Sequence, residues 1–388
     1  MLFDPLDSGT HMNPYPTYDA LRGSAQGVHR SRGMVVVSRY EDVAMVLTDS
    51  RFGQPPTRAS ARSTLTSLLD LDPPAHTRLR RVATRILNAQ AARILRPRID
   101  EAAADLLRPL RAGEDFDLIH DFARPLPGVA LSELLGIPTE ERAPLLAAVR
   151  VIADSLERRG ASPSVLATAS QYVADYLTAL LTSNRSGAGT ILRSLVSAEE
   201  SDDRLAVDEL VAMLTLFLIA GLDTTTSLIG NAVTALLANR DQLRACQKRR
   251  QLGPSAVDEL IRFDGPVQFV ARVAIEPASV GTLDLPPGTP VLALLGSANR
   301  DPEVFDDPDR LLLERSSRRQ QLGFGYGRHY CLGAALGRTT TAAAIGALLT
   351  DGVWKSIGEP TRDQRATLRA WASMPVRREL LDTRIEQA

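Results

Sequence analysis

Lysine, cysteine and aromatic residues are scarce in this chain of 388 residues. Only Lys248 and Lys355 are lysine, so nearly all the basic charge is arginine, and the formal net charge is −1. This balance gives no general attraction to nucleic acid or to an anionic membrane. The most apolar stretch, residues 211–222, is about 12 residues long, whereas a membrane-spanning helix needs roughly 20. No secretory signal is visible at the N-terminus, so a cytoplasmic protein is expected.

Apolar residues make up 44% of the chain, which is enough for one large core. The best candidate for a domain break, residues 182–189, is short enough to be a surface loop, so a single domain over residues 1–388 is predicted. Helical periodicity predicts helices over 82–110, 145–156, 165–181, 207–238 and 334–349. Short strands are predicted over 34–38, 270–275 and 291–295. The pattern is that of a mainly α protein with small peripheral β-sheets.

A ten-residue run, FGYGRHYCLG at 324–333, carries most of the functional signal. Its single thiol, Cys331, follows a glycine-rich loop and precedes an apolar, alanine-rich segment predicted to be helical. A thiolate at a helix N-terminus is stabilised by the helix dipole and by free backbone N–H groups. Such a sulfur can be a permanent ligand to haem iron, where thiolate donation favours O–O cleavage.

The cysteine alone leaves other interpretations open. An isolated cysteine is most often a small buried hydrophobe. Zinc is a second possibility because His329 is nearby, but zinc takes four ligands and Cys246 lies in a distant, polar helical context. A phosphate-binding loop is a third, although the glycines at 323, 325 and 327 do not match G-x-G-x-x-G.

A second informative run, LIAGLDTTT at 218–226, places an acid and alcohols inside an apolar helix. Burying the Asp223 carboxylate is costly unless it is paired or hydrogen-bonded. Thr224 can bond to the preceding turn and bend the helix, and Gly221 opens space beside it. The run is typical of a notched dioxygen site, or simply of a helix whose polar face begins at Asp223.

Four further side chains are suited to holding the carboxylates of a buried cofactor. His76 and Arg80 are four residues apart and share a helical face. Arg272 is the lone charge in a strand-like apolar stretch, and His329 lies two residues before Cys331. Charge-assisted hydrogen bonds from such groups neutralise haem propionates. The alternatives are structural ion pairs for the arginines and structural hydrogen bonds for the histidines.

Together these segments resemble the cytochrome P-450 superfamily in its soluble bacterial form. The resemblance implies the P-450 fold and haem b, with Cys331 as the axial ligand to iron. It implies that Asp223 and Thr224 are the acid and alcohol that deliver protons during dioxygen activation. The residues implied to contact haem are His76, Arg80, Arg272, Phe324, Gly325, His329, Cys331 and Gly333. With Cys331 committed to iron, no pair is left for a structural disulfide, which fits a reducing compartment.

The resemblance also implies a buried Glu–Arg–Arg network that stabilises the fold. Glu259 and Arg262 form an i, i+3 pair on one helical face, and Arg310 is expected to be the third member. A bare E-x-x-R is weak evidence by itself, since such pairs are common.

The implied activity is monooxygenation of a small organic molecule, in secondary metabolism or xenobiotic oxidation. With no flavin or nicotinamide segment, electrons are expected from a ferredoxin and its reductase, docked near Arg78 and Arg81, on a monomeric enzyme. Segments 58–69, 156–166, 216–224, 266–271 and 372–376 are expected to line a roomy aliphatic pocket, with Gln268 as a polar anchor. Oxidative coupling, peroxide-driven turnover and a non-catalytic haem protein remain alternatives.

Overall fold

The computed structural model describes residues 12–55, 68–109, 113–156, 162–182, 205–249, 252–351, 353–365 and 367–379, together with Phe3, Asp4 and Gly9. Its helices are α1 (Tyr15–Gly23), α2 (Tyr40–Thr48), α3 (Ala75–Ile86), α4 (Ala89–Leu107), α5 (Pro125–Leu135), α6 (Thr139–Leu156), α7 (Pro163–Thr182), α8 (Val207–Ala238), α9 (Arg240–Arg249), α10 (Pro254–Asp264), α11 (Leu295–Ala298) and α12 (Ala334–Asp351). A π-helical turn covers Leu118–Ala123, and a 3₁₀ turn covers Gly327–His329.

The strands are short: β1 (Val28–Ser31), β2 (Met34–Val37), β3 (Phe52–Gly53), β4 (Asp115–Asp117), β5 (Val270–Ala274), β6 (Ala278–Val280), β7 (Leu283–Leu285), β8 (Pro290–Ala293), β9 (Val353–Ser356), β10 (Thr361–Arg362), β11 (Trp371–Ser373) and β12 (Pro375–Glu379). The largest sheet has the order β1-β2-β8-β5-β3, and the parallel pair is β2 with β8. A three-stranded sheet, β4-β12-β9, and two hairpins complete the β structure. The predicted mainly α fold with small sheets is therefore confirmed.

The long helix α8 forms the centre of the helical core. It is apolar around most of its circumference and packs against α5, α7, α10 and α12. Among the described residues it is long and apolar enough to cross a membrane, but more than half of its most apolar stretch is buried by the rest of the fold. The short run 211–222 thus belongs to a helix of 32 residues, and its apolar composition is typical of a helix in the core of a protein.

The helix predicted over 82–110 was wrong as a single element. The chain leaves helical geometry at Leu87, where ψ is 90°, and a new helix begins after Asn88. The Asn88 side chain accepts a hydrogen bond of 2.9 Å from the Ala91 amide, as an N-cap does. The helix predicted over 145–156 begins six residues earlier, at Thr139, and the remaining predicted helices and strands agree with their predicted bounds to within two residues.

A buried carboxylate on α10 ties that helix to the following loops. Arg262 donates to both oxygens of Glu259, at 2.7 and 2.9 Å. Arg315 donates to the same carboxylate at 3.0 Å, and the Leu312 amide does so at 2.9 Å. The side chains of Glu259, Arg262 and Arg315 are only 3%, 2% and 7% exposed.

The third cation of this network is Arg315, so the assignment of Arg310 was wrong. The Arg310 side chain is 68% exposed and pairs with Asp307. Only its carbonyl oxygen joins the network, where it accepts from Arg262 and Arg315. The chain turns at Asp307, whose φ is 45°, and returns to the buried carboxylate five residues beyond Arg310.

Candidate active site

The loop before α12 is closed by its own backbone. The Cys331 amide donates to the Phe324 carbonyl at 2.8 Å, and the Gly325 amide donates to Leu322 at 2.7 Å. Gly325 and Gly327 have φ of 72° and 69°, a region that favours glycine. A Cβ at Gly327 would lie 2.7 Å from the Leu47 carbonyl oxygen. This loop therefore needs glycine at position 327 both for its φ and for its close approach to α2.

Cys331 lies three residues before α12 as a free, partly buried thiol. Burial raises the pKa of this thiol, while a hydrogen bond from the Gly333 amide and the charges of Arg80 and Arg338 oppose the rise. The Gly333 amide before α12 thus lowers the pKa of Cys331, as expected, but desolvation raises it by more. A coordinating metal ion removes this cost because it deprotonates a bound thiol outright.

A cavity of about 390 Å³ lies between this loop and α8. Its lining joins Cys331, Phe324, Gly325 and Gly333 to Thr224 of α8. The rest of the lining is mostly aliphatic and includes Leu68, Leu69, Leu131, Leu216, Phe217, Ala220, Gly221, Leu228, Pro266, Val267, Val270 and Leu295. A volume of this order with few polar groups is typical of a small-molecule site.

The four predicted anion-binding side chains, His76, Arg80, Arg272 and His329, all line the same cavity. The His76 and His329 rings are 4.2 Å apart, and the Nε2 atoms of both are buried without a hydrogen-bond partner among the described residues. Burial, followed by the neighbouring His76 and Arg272, lowers the pKa of His329 to about 3. Burial also lowers the pKa of Arg272.

One carboxylate, Asp72, approaches this group, with Oδ1 3.9 Å from His329 Nε2, which is too long for a hydrogen bond. Arg80 donates to the Tyr330 carbonyl at 2.5 Å, which ties α3 to the cysteine loop. Two arginines and two unpartnered imidazole nitrogens around one cavity fit the propionates of haem, as the thiol fits its iron.

The predicted acid and alcohol on α8 do not face the same way. Thr224 lines the cavity, and its hydroxyl donates to the Ala220 carbonyl at 2.6 Å. Asp223 is absent from the described lining, and its carboxylate pairs with Arg365. Consecutive residues of an α-helix lie about 100° apart around its axis, since a turn takes 3.6 residues. Arg365 could not be predicted from the sequence because it lies 142 positions after Asp223, in an irregular segment without a motif.

Other predicted pocket residues are only partly brought together. Gln268 is buried, but its amide donates to the Gly265 carbonyl at 2.7 Å and is not part of the lining, so it was wrong as a pocket anchor. Residues 58–67 and 157–161 of the predicted substrate segments lie outside the described residues. Arg78, proposed for docking, pairs with Glu209 at the start of α8.

Comparison with known proteins agrees with this geometry. The cytochrome P450 family model matches residues 169–366. The chain is 38% identical over 334 residues to cytochrome P450 107B1 of Saccharopolyspora erythraea, covering 81% of this chain and 80% of that one. It is 37% identical over 353 residues to the monooxygenase PikC of Streptomyces venezuelae, covering 87% and 83%. The crystal structure of CalO2 superimposes with a TM-score of 0.90 at 31% identity, covering 97% and 98%.

The matched region contains the helix with Thr224 and the loop with Cys331, and the structural match extends over nearly the whole chain. The chain belongs to the cytochrome P450 family of monooxygenases, whose cofactor is haem b with a cysteine thiolate as axial ligand.

Proposed function

We propose that this enzyme inserts one oxygen atom from dioxygen into a C–H bond or an alkene of a small, mainly apolar organic molecule. The observation that carries the proposal is that Cys331 and Thr224 line one aliphatic cavity. PikC is named a monooxygenase, and a relative from Pseudonocardia autotrophica, 37% identical over 362 residues, is named a vitamin D(3) 25-hydroxylase. The setting we propose is bacterial secondary metabolism in the cytoplasm, with residues 1–388 forming a single domain.

Within this proposal, Cys331 would be the thiolate ligand of the haem iron. Thiolate-ligated haem, when bound, supplies the chemistry that cleaves the O–O bond. Phe324, Gly325 and Gly333, which line the cavity beside Cys331, would contact the cofactor there. His76, Arg80, Arg272 and His329 would hold the propionates. The charge-assisted bonds would also give a partner to the two imidazole nitrogens that have none among the described residues.

Thr224 and Asp223 are assigned to proton delivery on the opposite side of the cavity. The Thr224 hydroxyl donates to Ala220 and keeps its lone pairs free to accept a proton-bearing donor. Asp223, one residue before it, is the proposed relay: its carboxylate takes up a proton from solvent and passes it on towards Thr224, as positioned carboxyl groups do in general acid–base catalysis. Its carboxylate is 14% exposed and is neutralised by Arg365.

Bacterial P450s typically take electrons from a ferredoxin and its reductase. We propose the same donors here. Arg81 and the neighbouring basic residues of α3 are the proposed docking surface. We propose that the enzyme works as a monomer.

The first test is the absorption spectrum of the reduced protein under carbon monoxide, for the wild type and for Cys331→Ser. We expect a strongly red-shifted Soret band in the wild type and its loss in the variant. A histidine-like band in the wild type would refute the assignment of Cys331.

Screening candidate substrates by their spin-state change and then supplying ¹⁸O₂ tests the reaction type. Product that contains one labelled oxygen supports monooxygenation. Product without label indicates oxidative coupling, and no product with electrons supplied indicates a non-catalytic haem protein.

A further inference from the structure

A buried cluster of charges surrounds Arg365, in the segment between β10 and β11. The Arg365 side chain is only 10% exposed, yet its guanidinium contacts three carboxylates. It donates to Asp223 on α8, to Asp154 on α6 at 3.2 Å, and to Asp363 in its own segment at 2.9 Å. Arg365 therefore connects α6, α8 and its own segment, and its contact on α8 is Asp223, the residue before Thr224.

The cluster keeps Arg365 charged. Burial alone lowers the pKa of Arg365, but Asp223 and Asp363 overcome that effect and leave the pKa above its ordinary value. The carboxylates differ in their access to solvent, since Asp154 is 45% exposed while Asp223 and Asp363 are 14% and 8% exposed. The cluster thus runs from the protein surface at the end of α6 to the middle of α8.

A second arginine lies at the edge of the cluster. Arg150 is one helical turn before Asp154, and burial lowers its pKa while Asp223 and Asp154 act in the opposite direction. It contacts the Arg124 carbonyl at 3.4 Å, and no hydrogen bond from it to Asp223 is present among the described residues. Arg365 is therefore the cation that fixes the Asp223 side chain.

We propose that Arg365 is a positioning residue for proton delivery. It orients the Asp223 carboxylate one residue before Thr224, and its other carboxylates anchor it to α6 and to its own segment. Because Asp154 and Asp363 remain to pair with Arg365, Asp223 can take up a proton from solvent and pass it towards the cavity without leaving a buried cation unpaired. This inference rests on the proposed roles of Asp223 and Thr224.

The test compares Arg365→Gln with Arg362→Gln in the holoenzyme. Arg362 is a matched control because its side chain is also 10% exposed and it pairs with Asp264 rather than Asp223. Removing a general acid outright costs about 10²–10⁴-fold in rate. For the loss of its positioning cation we expect a smaller decrease, on the order of tenfold, in product formed per electron pair consumed. Turnover with hydrogen peroxide, substrate affinity and the carbon monoxide spectrum are expected to stay as in the wild type.

A double-mutant cycle separates positioning from general destabilisation. If Arg365 acts through Asp223, the Asp223→Asn/Arg365→Gln double variant forms as much product per electron pair (the coupling) as Asp223→Asn alone. Full additivity of the two losses, or wild-type coupling in Arg365→Gln, would overturn the inference. If Asp223→Asn has wild-type coupling, the proposed role of Asp223 is refuted, and the inference about Arg365 is refuted with it.

Two further measurements keep the proposal testable if Arg365→Gln does not fold. Arg365→Lys retains the charge and is expected to restore part of the coupling. Asp154→Asn removes one anchor while Arg365 and Asp223 stay in place. Both Asp154→Asn and Arg365→Gln are expected to raise amide hydrogen exchange over residues 150–155 of α6, whereas Arg362→Gln does not. Unchanged exchange in Asp154→Asn would refute the proposed anchoring of Arg365 to α6.

Discussion

Replacing Arg315 and Arg310 with methionine tests which arginine belongs to the buried Glu259 network. Methionine keeps most of the aliphatic stem and removes the charge, so the comparison isolates the ionic contacts. Arg315 contributes a 3.0 Å contact to a carboxylate that is 3% exposed. It also donates to three backbone carbonyls, those of Asp306, Asp307 and Arg310.

Removing one partner of a buried ion pair typically costs about 3–5 kcal/mol. Glu259 keeps Arg262 in the Arg315→Met variant, so we expect a loss near the lower end, about 3 kcal/mol in the free energy of unfolding. Arg310→Met alters a side chain that is 68% exposed, and surface changes of this kind stay within about 0.5 kcal/mol.

The assay is urea unfolding of both holoenzymes, followed by far-UV circular dichroism, with the Soret band as a second probe. A clear decrease in the unfolding midpoint is expected for Arg315→Met alone. Equal midpoints for the two variants, or a larger decrease for Arg310→Met, would refute the assignment of Arg315.

Three further predictions concern the cavity and its loop. Thr224→Ala is expected to lower product formed per electron pair with dioxygen while hydrogen peroxide still supports turnover; fully coupled dioxygen turnover would contradict the role of Thr224. Gly327→Ala is expected to destabilise the protein by about 1–3 kcal/mol from its φ alone, and further through the clash of the new Cβ with Leu47. Gly33→Ala is the control, since Gly33 has φ of 79° but open space around its Cβ position. Equal unfolding midpoints for the two variants would contradict the predicted clash. Gly221→Ala places a Cβ 3.0 Å from Leu131, and both residues line the cavity. We therefore expect weaker binding of a substrate, measured by spin-state titration. Unchanged affinity would indicate that the substrate does not contact this part of α8.

The predicted site residues that line the cavity come mostly from local sequence patterns. The loop before Cys331 is determined by nearby residues, because the glycines with positive φ and the hydrogen bond that closes the loop all lie within ten residues. His76 and Arg80 follow from helical spacing, and both line the cavity. The long apolar helix α8 was predicted over its full length, since an uninterrupted apolar pattern depends little on the rest of the fold.

The parts that were missed depend on contacts between distant segments. Arg365 meets Asp223 only after α8 and the C-terminal segment have packed together. Arg310 and Arg315 lie in an irregular loop, where no periodicity tells which side chain is buried. The break at Asn88 was missed because the helical residues on both sides of it continue a similar apolar pattern.

The cavity also has a consequence for how the enzyme is made. Its contributors His76 and Cys331 are separated by most of the chain, and Arg272 lies between them. Chains are synthesised from the N-terminus, so the cysteine loop is made after His76 and Arg272. The complete lining therefore cannot form until the segment with Cys331 has been synthesised and has packed against α3, α8 and β5.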